Sequence, residues 1–407
     1  MTNRPVVLRD DRPPVGRPAL RTEGGRDARY GADMAAKTTY PVLTTRALGR
    51  ATLDRQSLLR RSAMSPKDAL TRLVGLQAQN VKPPYVQLAA RLEDFDPEDL
   101  SALLASREAA RMVTMRSTIH LHTADDCLAL RPLFQAVCDR ELRQFRKDLA
   151  GIEPERIAAY GRELVEERPR PVKELRELLL GRWPDAGPLA LTVAVRCLLP
   201  LVQTTPRGLW GRSGQVTLTT TEQWFGRRAE PAHEPDAAIL RYLAAFGPAS
   251  VRDAGTWSGL TRLREVFERL RPGLLTFQDE NGVELFDLPE AARPAEDTPA
   301  PPRFLPEFDN LLLSHADRTR IIPAAYKGRL SRGNLSYRAL LVDGMVAGVW
   351  RLALRPAESR DGVTLTVQLF GGLSRERRRA VEEEGERLLT TLHPATAHDL
   401  RFADFTH

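Results

Sequence analysis

Two glutamines stand one residue apart in the segment Leu76-Gln77-Ala78-Gln79-Asn80, directly after an apolar stretch. A glutamine side chain has no proton that titrates near neutral pH, so the pair is unsuited to ordinary general acid–base catalysis. Two amides can instead accept hydrogen bonds from a water molecule and orient it. The pair therefore indicates a hydrolytic site whose leaving group needs no protonation. The alternative is that the amides cap free carbonyl groups at the end of a helix.

The composition limits the class of protein. The 407 residues include 60 Lys and Arg against 53 Asp and Glu, which gives a net charge of +7, and most of the basic residues are arginine. Guanidinium groups bind phosphate at two points, which favours a nucleic-acid partner, although a GC-rich genome produces the same bias. No apolar run approaches the ~20 residues of a membrane span, and no secretory signal is evident. We expect a monomer in the cytoplasm, associated with the nucleoid.

Neither the cysteines nor the histidines predict a metal centre. Cys127, Cys138 and Cys197 are odd in number and form no Cys-x-x-Cys pair, so a disulfide framework is not expected. His120 and His122 share one face of a predicted strand, but no carboxylate or cysteine follows at ligand spacing. We therefore predict no metal and no cofactor.

The apolar spacing predicts an α+β protein of tandem winged-helix units, in which helices are followed by a β-hairpin, with a C-terminal strand-rich domain. The helix that begins at Ser65 or Pro66 is predicted to run through Leu76, with the glutamines at its end. Residues 1–40 are predicted to be a disordered basic tail, unless translation begins at Met34. The predicted divisions are winged-helix 1 (41–123), winged-helix 2 (124–230), winged-helix 3 (231–290), a linker (291–302) and a C-terminal α/β domain (303–407).

Four segments, in the same order, resemble the AlkZ/YcaQ-type bacterial DNA glycosylases, whose fold consists of tandem winged-helix motifs. The segments are 75–79, 116–121, 247–253 together with 257–260, and 304–315, and the resemblance runs from about residue 41 to the C-terminus. The catalytic element of that family is Gln-apolar-Gln in the AlkZ-like branch and Gln-apolar-Asp in the YcaQ-like branch. Gln77 and Gln79 match the first branch, with Ala78 smaller than the usual middle residue.

The resemblance implies a monofunctional DNA glycosylase that excises N7-alkylated purines from double-stranded DNA. It also implies bulky adducts or interstrand crosslinks from a genotoxic natural product as substrates, and hence a role in self-resistance and base excision repair. An N7-alkylated purine is cationic and leaves as a neutral molecule, so Gln77 and Gln79 would only have to hold a water and tolerate a positive sugar. The nearest lysine is Lys82, and none adjoins the pair to form a Schiff base.

Other residues are candidates for contacts with the DNA or the lesion. The candidate DNA contacts are Arg116, Ser117, His120, His122, Arg212, Arg318 and Arg320. The candidate pocket residues are Asn80, Asp309, Asn310 and His315. Structural roles stay open for most of them, as hairpin side chains for the two histidines and as a capping network for the 309–315 segment.

Two other functions stay open on the sequence alone. A winged-helix scaffold serves many non-enzymatic transcriptional regulators, and a damage-binding protein would recognise lesions without excising them. The Gln77 and Gln79 pair separates these functions from catalysis, because a regulator has no use for two water-holding amides.

Overall fold

A computed structural model describes residues 40–149, 151–229, 231, 234–333, 335–354 and 362–405. The predicted basic tail, apart from Tyr40, lies outside these residues. Within them, no helix is both long enough and apolar enough to cross a membrane.

The first region combines four helices with a β-hairpin. Its elements are β1 (Val42–Leu43), α1 (Thr45–Arg55), α2 (Pro66–Arg72), β2 (Leu76–Gln77), α3 (Pro83–Arg91), α4 (Pro97–Ala105), β3 (Ala109–Val113) and β4 (Ile119–Thr123). The side chain of Ser65 caps the start of α2 by accepting from the backbone N–H of Asp68. The helix ends at Arg72, since Val74 and Gly75 adopt left-handed backbone angles with φ of 55° and 82°. The prediction that this helix continues through Leu76 is therefore wrong.

The second region adds six α-helices and a second hairpin. Its elements are α5 (Ala124–Leu133), α6 (Gln135–Gln144), α7 (Pro154–Glu167), β5 (Arg170–Pro171), α8 (Val172–Arg182), α9 (Pro188–Leu198), β6 (Leu201–Gln203), β7 (Thr217–Thr220) and α10 (Thr221–Phe225). The hairpins of the two regions merge into one six-stranded antiparallel sheet in the order β2-β4-β3-β6-β7-β5. This order places β2, which carries Gln77, at the edge of the sheet.

The third region repeats the order of helices followed by a hairpin. Its elements are α11 (Asp236–Phe246), α12 (Val251–Ser258), α13 (Leu263–Leu270), β8 (Leu275–Asp279) and β9 (Glu284–Asp287). Ser250 and Asp253 form a reciprocal capping box at the start of α12. The short β1 strand pairs in parallel with β8, so the first residues of the described chain complete the sheet of the third region.

The C-terminal region is a sheet covered by one long helix. Its elements are β10 (Arg303–Leu305), β11 (Ser331–Arg332), β12 (Leu335–Ser336), β13 (Arg338–Val342), β14 (Met345–Leu354), β15 (Gly362–Leu369), α14 (Arg375–Leu392) and β16 (Ala397–Asp404). The five-stranded sheet has the order β10-β13-β14-β15-β16, and β15 and β16 are its parallel pair. The predicted turn at Asp343-Gly344 joins β13 to β14, with φ of 52° and 75°. The predicted α+β class is confirmed.

One hydrophobic core joins the first region to the C-terminal sheet. Leu76 and Ala78 pack in the same buried cluster as Phe304 of β10, Leu365 of β15 and Leu389 of α14. Burial of these apolar side chains fixes the face that β2 turns inward. The side chain of Gln77 therefore lies on the opposite face of β2.

Candidate active site

Gln77 and Gln79 lie on one face of an extended segment. Gln77 pairs with His120 of β4, and the pairing continues to Ala78, whose N–H donates to the carbonyl of Ile119 at 2.8 Å. Alternate side chains of an extended chain share a face, and Ala78 is buried on the other one. Gln77 is only 5% exposed, whereas Gln79 is exposed and has no hydrogen-bond partner among the described residues. The site thus combines a fixed amide with a free one.

Two side-chain amides hold the outer edge of β2. The Oδ1 atom of Asn310 accepts from the backbone N–H of Gln77 at 3.1 Å, and its Nδ2 donates to the carbonyl of Gly75 at 2.8 Å. The Nε2 atom of Gln87 on α3 donates to the carbonyl of Gln77 at 3.1 Å. Asn310 therefore substitutes for a neighbouring strand and satisfies the edge of a two-residue strand that would otherwise be unpaired.

Arg116 approaches the Gln77 side chain from the loop between β3 and β4. Its Nη2 donates to the Oε1 of Gln77 at 2.7 Å and to the Nε2 of His120 at 3.1 Å, and its Nη1 donates to the carbonyl of Trp257. Burial, reinforced by the charge of Arg318, lowers the pKa of Arg116 to about 10, so the guanidinium stays charged at neutral pH. A cation therefore sits directly behind the amide of Gln77.

His120 is a neutral part of the same network. Burial, and then the charge of Arg116, lower the pKa of His120 well below its ordinary value of 6.5. With one proton on the ring, Nδ1 donates to the carbonyl of Thr118 at 3.1 Å, which leaves Nε2 as the acceptor for Arg116. The imidazole therefore supports the arginine and exchanges no proton near neutral pH.

The structure corrects three of the predicted DNA contacts. His120 and His122 are both completely buried, and the Nε2 of His122 lies 2.9 Å from the Oγ1 of Thr114, so neither ring can touch DNA. Arg320 is also buried, and its Nη1 donates to the carbonyl of Pro248 at 2.8 Å. The alternation of residues in a strand shows that His120 and His122 share a face, but it does not show whether another element covers that face. The polar sequence around Arg320 likewise does not show that this side chain is buried.

The other predicted DNA contacts divide into occupied and free side chains. Arg116 points inward, as described above, and the hydroxyl of Ser117 donates to Glu141. Arg212 and Arg318 are exposed and have no ion pair among the described residues. Arg212 and Arg318 remain available to phosphate, so their role stays a prediction.

The predicted pocket residues support the site from behind. Asp309 is fully buried in a two-point ion pair with Arg91, with N–O distances of 2.7 and 2.9 Å. The Nε2 of His315 lies 3.0 Å from the carbonyl of Phe246, and burial lowers the pKa of this histidine to about 3. Asn80 alone is exposed, and its Nδ2 donates to Glu307 at 3.2 Å. Asp309, Asn310 and His315 therefore make hydrogen bonds inside the fold, and Asn310 is bonded directly to β2.

A group of basic residues beside the site was missed by sequence reasoning. Arg140, Arg143, Arg146 and Lys147 are exposed on α6 and the turn after it, and none of them has an ion pair among the described residues. We call this group the α6 ridge. The Nη1 of Arg140 donates to the carbonyl of Gly259 at 2.9 Å, and a Cβ on Gly259 would lie 3.2 Å from the Cα of Arg116. The ridge therefore begins next to the residue that holds Gln77.

The signal for the ridge was present in the sequence. Arg140 and Arg143 are three residues apart, which places them on one helix face, but Asp139 and Glu141 on either side of Arg140 suggest local neutralisation. In the structure the carboxylate of Asp139 accepts from Gln135, and that of Glu141 accepts from Arg196. Both carboxylates are thus bonded to other residues, and Arg140 and Arg143 have no ion pair among the described residues.

The described residues contain no group of three or more His, Cys, Asp or Glu side chains placed to hold a metal ion. Cys127, Cys138 and Cys197 are all buried and free.

Comparison with known proteins agrees with the geometry. The sequence matches the family described as DNA glycosylase AlkZ-like over residues 70–391. It is 28% identical over 331 residues to an interstrand DNA cross-link repair glycosylase of Streptomyces sahachiroi, covering 74% of this chain and 85% of that protein. The fold is similar to that of the Streptomyces sahachiroi DNA glycosylase AlkZ, with a TM-score of 0.72 and 21% identity, over 89% of this chain and 100% of that one.

Proposed function

The chain belongs to the family of AlkZ-like DNA glycosylases, and we propose that it hydrolyses the bond between C1′ of deoxyribose and N9 of purines alkylated at N7. As a member of this family it is a DNA glycosylase, an enzyme of DNA repair. The observation that carries the proposal is the amide pair at the edge of β2, with Gln79 free and exposed beside Gln77, whose oxygen is fixed. A side-chain amide with a free oxygen can hold a water molecule without exchanging a proton with it.

The chemistry suits a base that is already activated. An N7-alkylated purine carries a positive charge, and the electron pair of the C1′–N9 bond neutralises that charge when the base leaves. The oxygen of water adds to C1′, and its proton passes to solvent. Among the described residues no carboxylate hydrogen-bonds to the side chain of Gln77 or Gln79, and the proposed reaction needs no acid in contact with that pair. Unmodified guanine should therefore not be excised.

We extend the proposal to bulky adducts and interstrand crosslinks. The relative from Streptomyces sahachiroi is named as a cross-link repair glycosylase. Gln79 is exposed two residues beyond the edge strand β2, where we propose that a base tethered to the opposite DNA strand can reach it without being enclosed. The biological role that follows is self-resistance to a genotoxic natural product. The absence of a lysine beside the amide pair supports a monofunctional reaction without a Schiff base.

Duplex DNA is the proposed partner, and the α6 ridge is its proposed phosphate-binding surface. Many other exposed arginines of the described chain form an ion pair with a carboxylate. Arg264, for example, pairs with Glu284 at 2.8 Å. The ridge arginines are free of such pairs and lie next to the active-site loop. Because phosphate contacts give affinity without sequence preference, we propose that the ridge follows one backbone strand towards the lesion.

The division into three winged-helix units at 41–123, 124–230 and 231–290, followed by a linker and a C-terminal domain, is also a proposal. Its support is that helices precede each of the hairpins β3–β4, β6–β7 and β8–β9. We further propose that the protein acts as a monomer on nucleoid DNA.

A duplex with one 7-methylguanine tests the proposed function. The protein is incubated with the end-labelled duplex, and hot alkali then cleaves the strand wherever the base was released. We expect cleavage with the unaltered protein and its loss in Gln79→Ala, while binding to undamaged duplex is retained. Gln223→Ala is the matched control, since Gln223 is also an exposed glutamine but lies on α10. Binding without base release by the unaltered protein would instead favour a non-enzymatic regulator or a damage-binding protein.

A further inference from the structure

We propose that Arg116 is a positioning residue that turns the amide of Gln77 so that its NH2 group faces the departing purine, while Gln79 alone accepts the hydrogen bonds of the nucleophilic water. This inference rests on the proposed glycosylase function. It goes beyond that function because it gives the two glutamines opposite roles, one as a donor and one as an acceptor.

The orientation of Gln77 follows from the donors of Arg116. A guanidinium has only N–H donors, so the group that lies 2.7 Å from Nη2 must be the amide oxygen of Gln77. If the amide of Gln77 were reversed, its NH2 group would face the N–H groups of Arg116, and no hydrogen bond could form between them. The Nε2 of Gln77 therefore points away from Arg116. It has no partner among the described residues and is not among their enclosed unpartnered atoms, so it reaches the surface.

The backbone of Arg116 is held in a conformation that aims the guanidinium. Arg116 and Ser117 have φ of 55° and 56°, in the left-handed region that costs a non-glycine residue about 1–3 kcal/mol. The carbonyl of Trp257 and the imidazole of His120 hold the guanidinium at two further points. The two left-handed residues lie in the turn that closes the β3–β4 hairpin, and the same turn directs the Arg116 guanidinium towards Gln77.

The three acceptors around Arg116 are all neutral. They are the amide oxygen of Gln77, the imidazole of His120 and the carbonyl of Trp257. Arg116 has no carboxylate partner among the described residues, so its charge is not compensated locally. The charge draws electron density towards the Oε1 of Gln77 and makes the N–H groups of Nε2 stronger donors.

The strengthened N–H donor of Gln77 can stabilise the departing purine. When the C1′–N9 bond breaks, its electron pair moves onto the purine, and an N–H group directed at the purine stabilises that electron density. At the other end, the water that attacks C1′ needs an acceptor for its hydrogens. The Oε1 of Gln79 has no hydrogen bond among the described residues and can serve as that acceptor.

Substitution of each glutamine by glutamate separates the two roles. Glutamate at position 77 would keep the contact with Arg116 but lose both N–H donors, whereas glutamate at position 79 would keep its acceptors. We expect single-turnover excision of 7-methylguanine to fall about 100-fold or more in Gln77→Glu, and to fall distinctly less in Gln79→Glu. Equal rates, or a slower Gln79→Glu, would overturn the inference.

Substitution of Arg116 tests the positioning itself. In Arg116→Met the rate at saturating enzyme should fall by about 100-fold or more, with unchanged affinity for undamaged duplex, and Arg116→Lys should recover part of the loss. Added methylguanidinium should raise the rate of Arg116→Gly, because glycine tolerates the left-handed backbone and leaves room for the cation. A Met variant as fast as the unaltered protein, or weaker DNA binding as the sole defect of the variants, would contradict the proposal. Absence of excision by the unaltered protein would refute the proposed function itself.

Discussion

The side chain of Asn310 hydrogen-bonds to the backbone N–H of Gln77 at 3.1 Å across 233 residues of sequence. The same amide reaches the carbonyl of Gly75, so a single asparagine holds the backbone on both sides of Leu76 in β2. The site thus depends on a contact between the first region and the C-terminal region.

Asn310→Asp should weaken catalysis without affecting DNA binding. The carboxylate keeps the acceptor for Gln77 but cannot donate to Gly75, so a buried oxygen faces the carbonyl. We expect a stability loss of about 1–3 kcal/mol. Displacement of β2 should slow single-turnover excision by about 10-fold or more. Asn281→Asp, in the exposed turn after β8, is the control. An excision rate equal to that of the control would show that the clamp is dispensable.

The buried ion pair between Arg91 and Asp309 predicts a large effect on folding. Removal of the carboxylate in Asp309→Ala leaves a buried guanidinium without its partner, which typically costs about 3–5 kcal/mol. Urea unfolding measures this loss directly. Asp125→Ala removes an exposed carboxylate that pairs with Arg227 on the surface, and it should not change the unfolding midpoint measurably. Equal midpoints for the two variants would refute the prediction.

Neutralisation of the α6 ridge should reduce the salt dependence of DNA binding. Each phosphate contact contributes about 0.9 to the slope of log K against log salt, so Arg140→Gln with Arg143→Gln should lower the slope by about 2. The dissociation constant for an undamaged duplex is measured over a series of salt concentrations. The matched control is Arg264→Gln with Arg269→Gln, which removes the same charge from arginines already paired with carboxylates. A slope shared by both double variants would exclude the ridge from the interface.

Excision should be independent of pH from about 6.5 to 9, because neither Arg116 nor His120 changes its charge in this range. The pKa of His120 is lowered well below 6.5 by burial and by Arg116, and burial lowers the pKa of Arg116 only to about 10. As the pH falls towards the lowered pKa of His120, protonation turns Nε2 from acceptor to donor and breaks its bond to Arg116. The rate should therefore decline only on the acid side. A bell-shaped profile centred in the neutral range would reveal a general acid or base.

The local sequence predicts the candidate chemistry of this protein better than it predicts how the residues are arranged in space. Residue types and spacing, together with the family resemblance, are enough to single out Gln77 and Gln79 as a candidate catalytic pair, because neither depends on knowing the fold. The α+β class follows from local periodicity, and the Asp343-Gly344 turn follows from the left-handed angles that it requires.

Tertiary structure decided how those residues are placed. Local propensity continues a helix through Val74, but pairing with β4 and the amides of Asn310 and Gln87 stabilise a strand instead. Alternation puts His120 and His122 on one face, yet only packing shows that this face is buried. The contact of Arg116 with Gln77 likewise depends on how one hairpin folds against its neighbours. Long-range packing and hydrogen bonds outweigh local preferences of a few tenths of a kcal/mol per residue, roughly the scale of helix propensities, and these long-range interactions cannot be inferred from neighbouring residues alone.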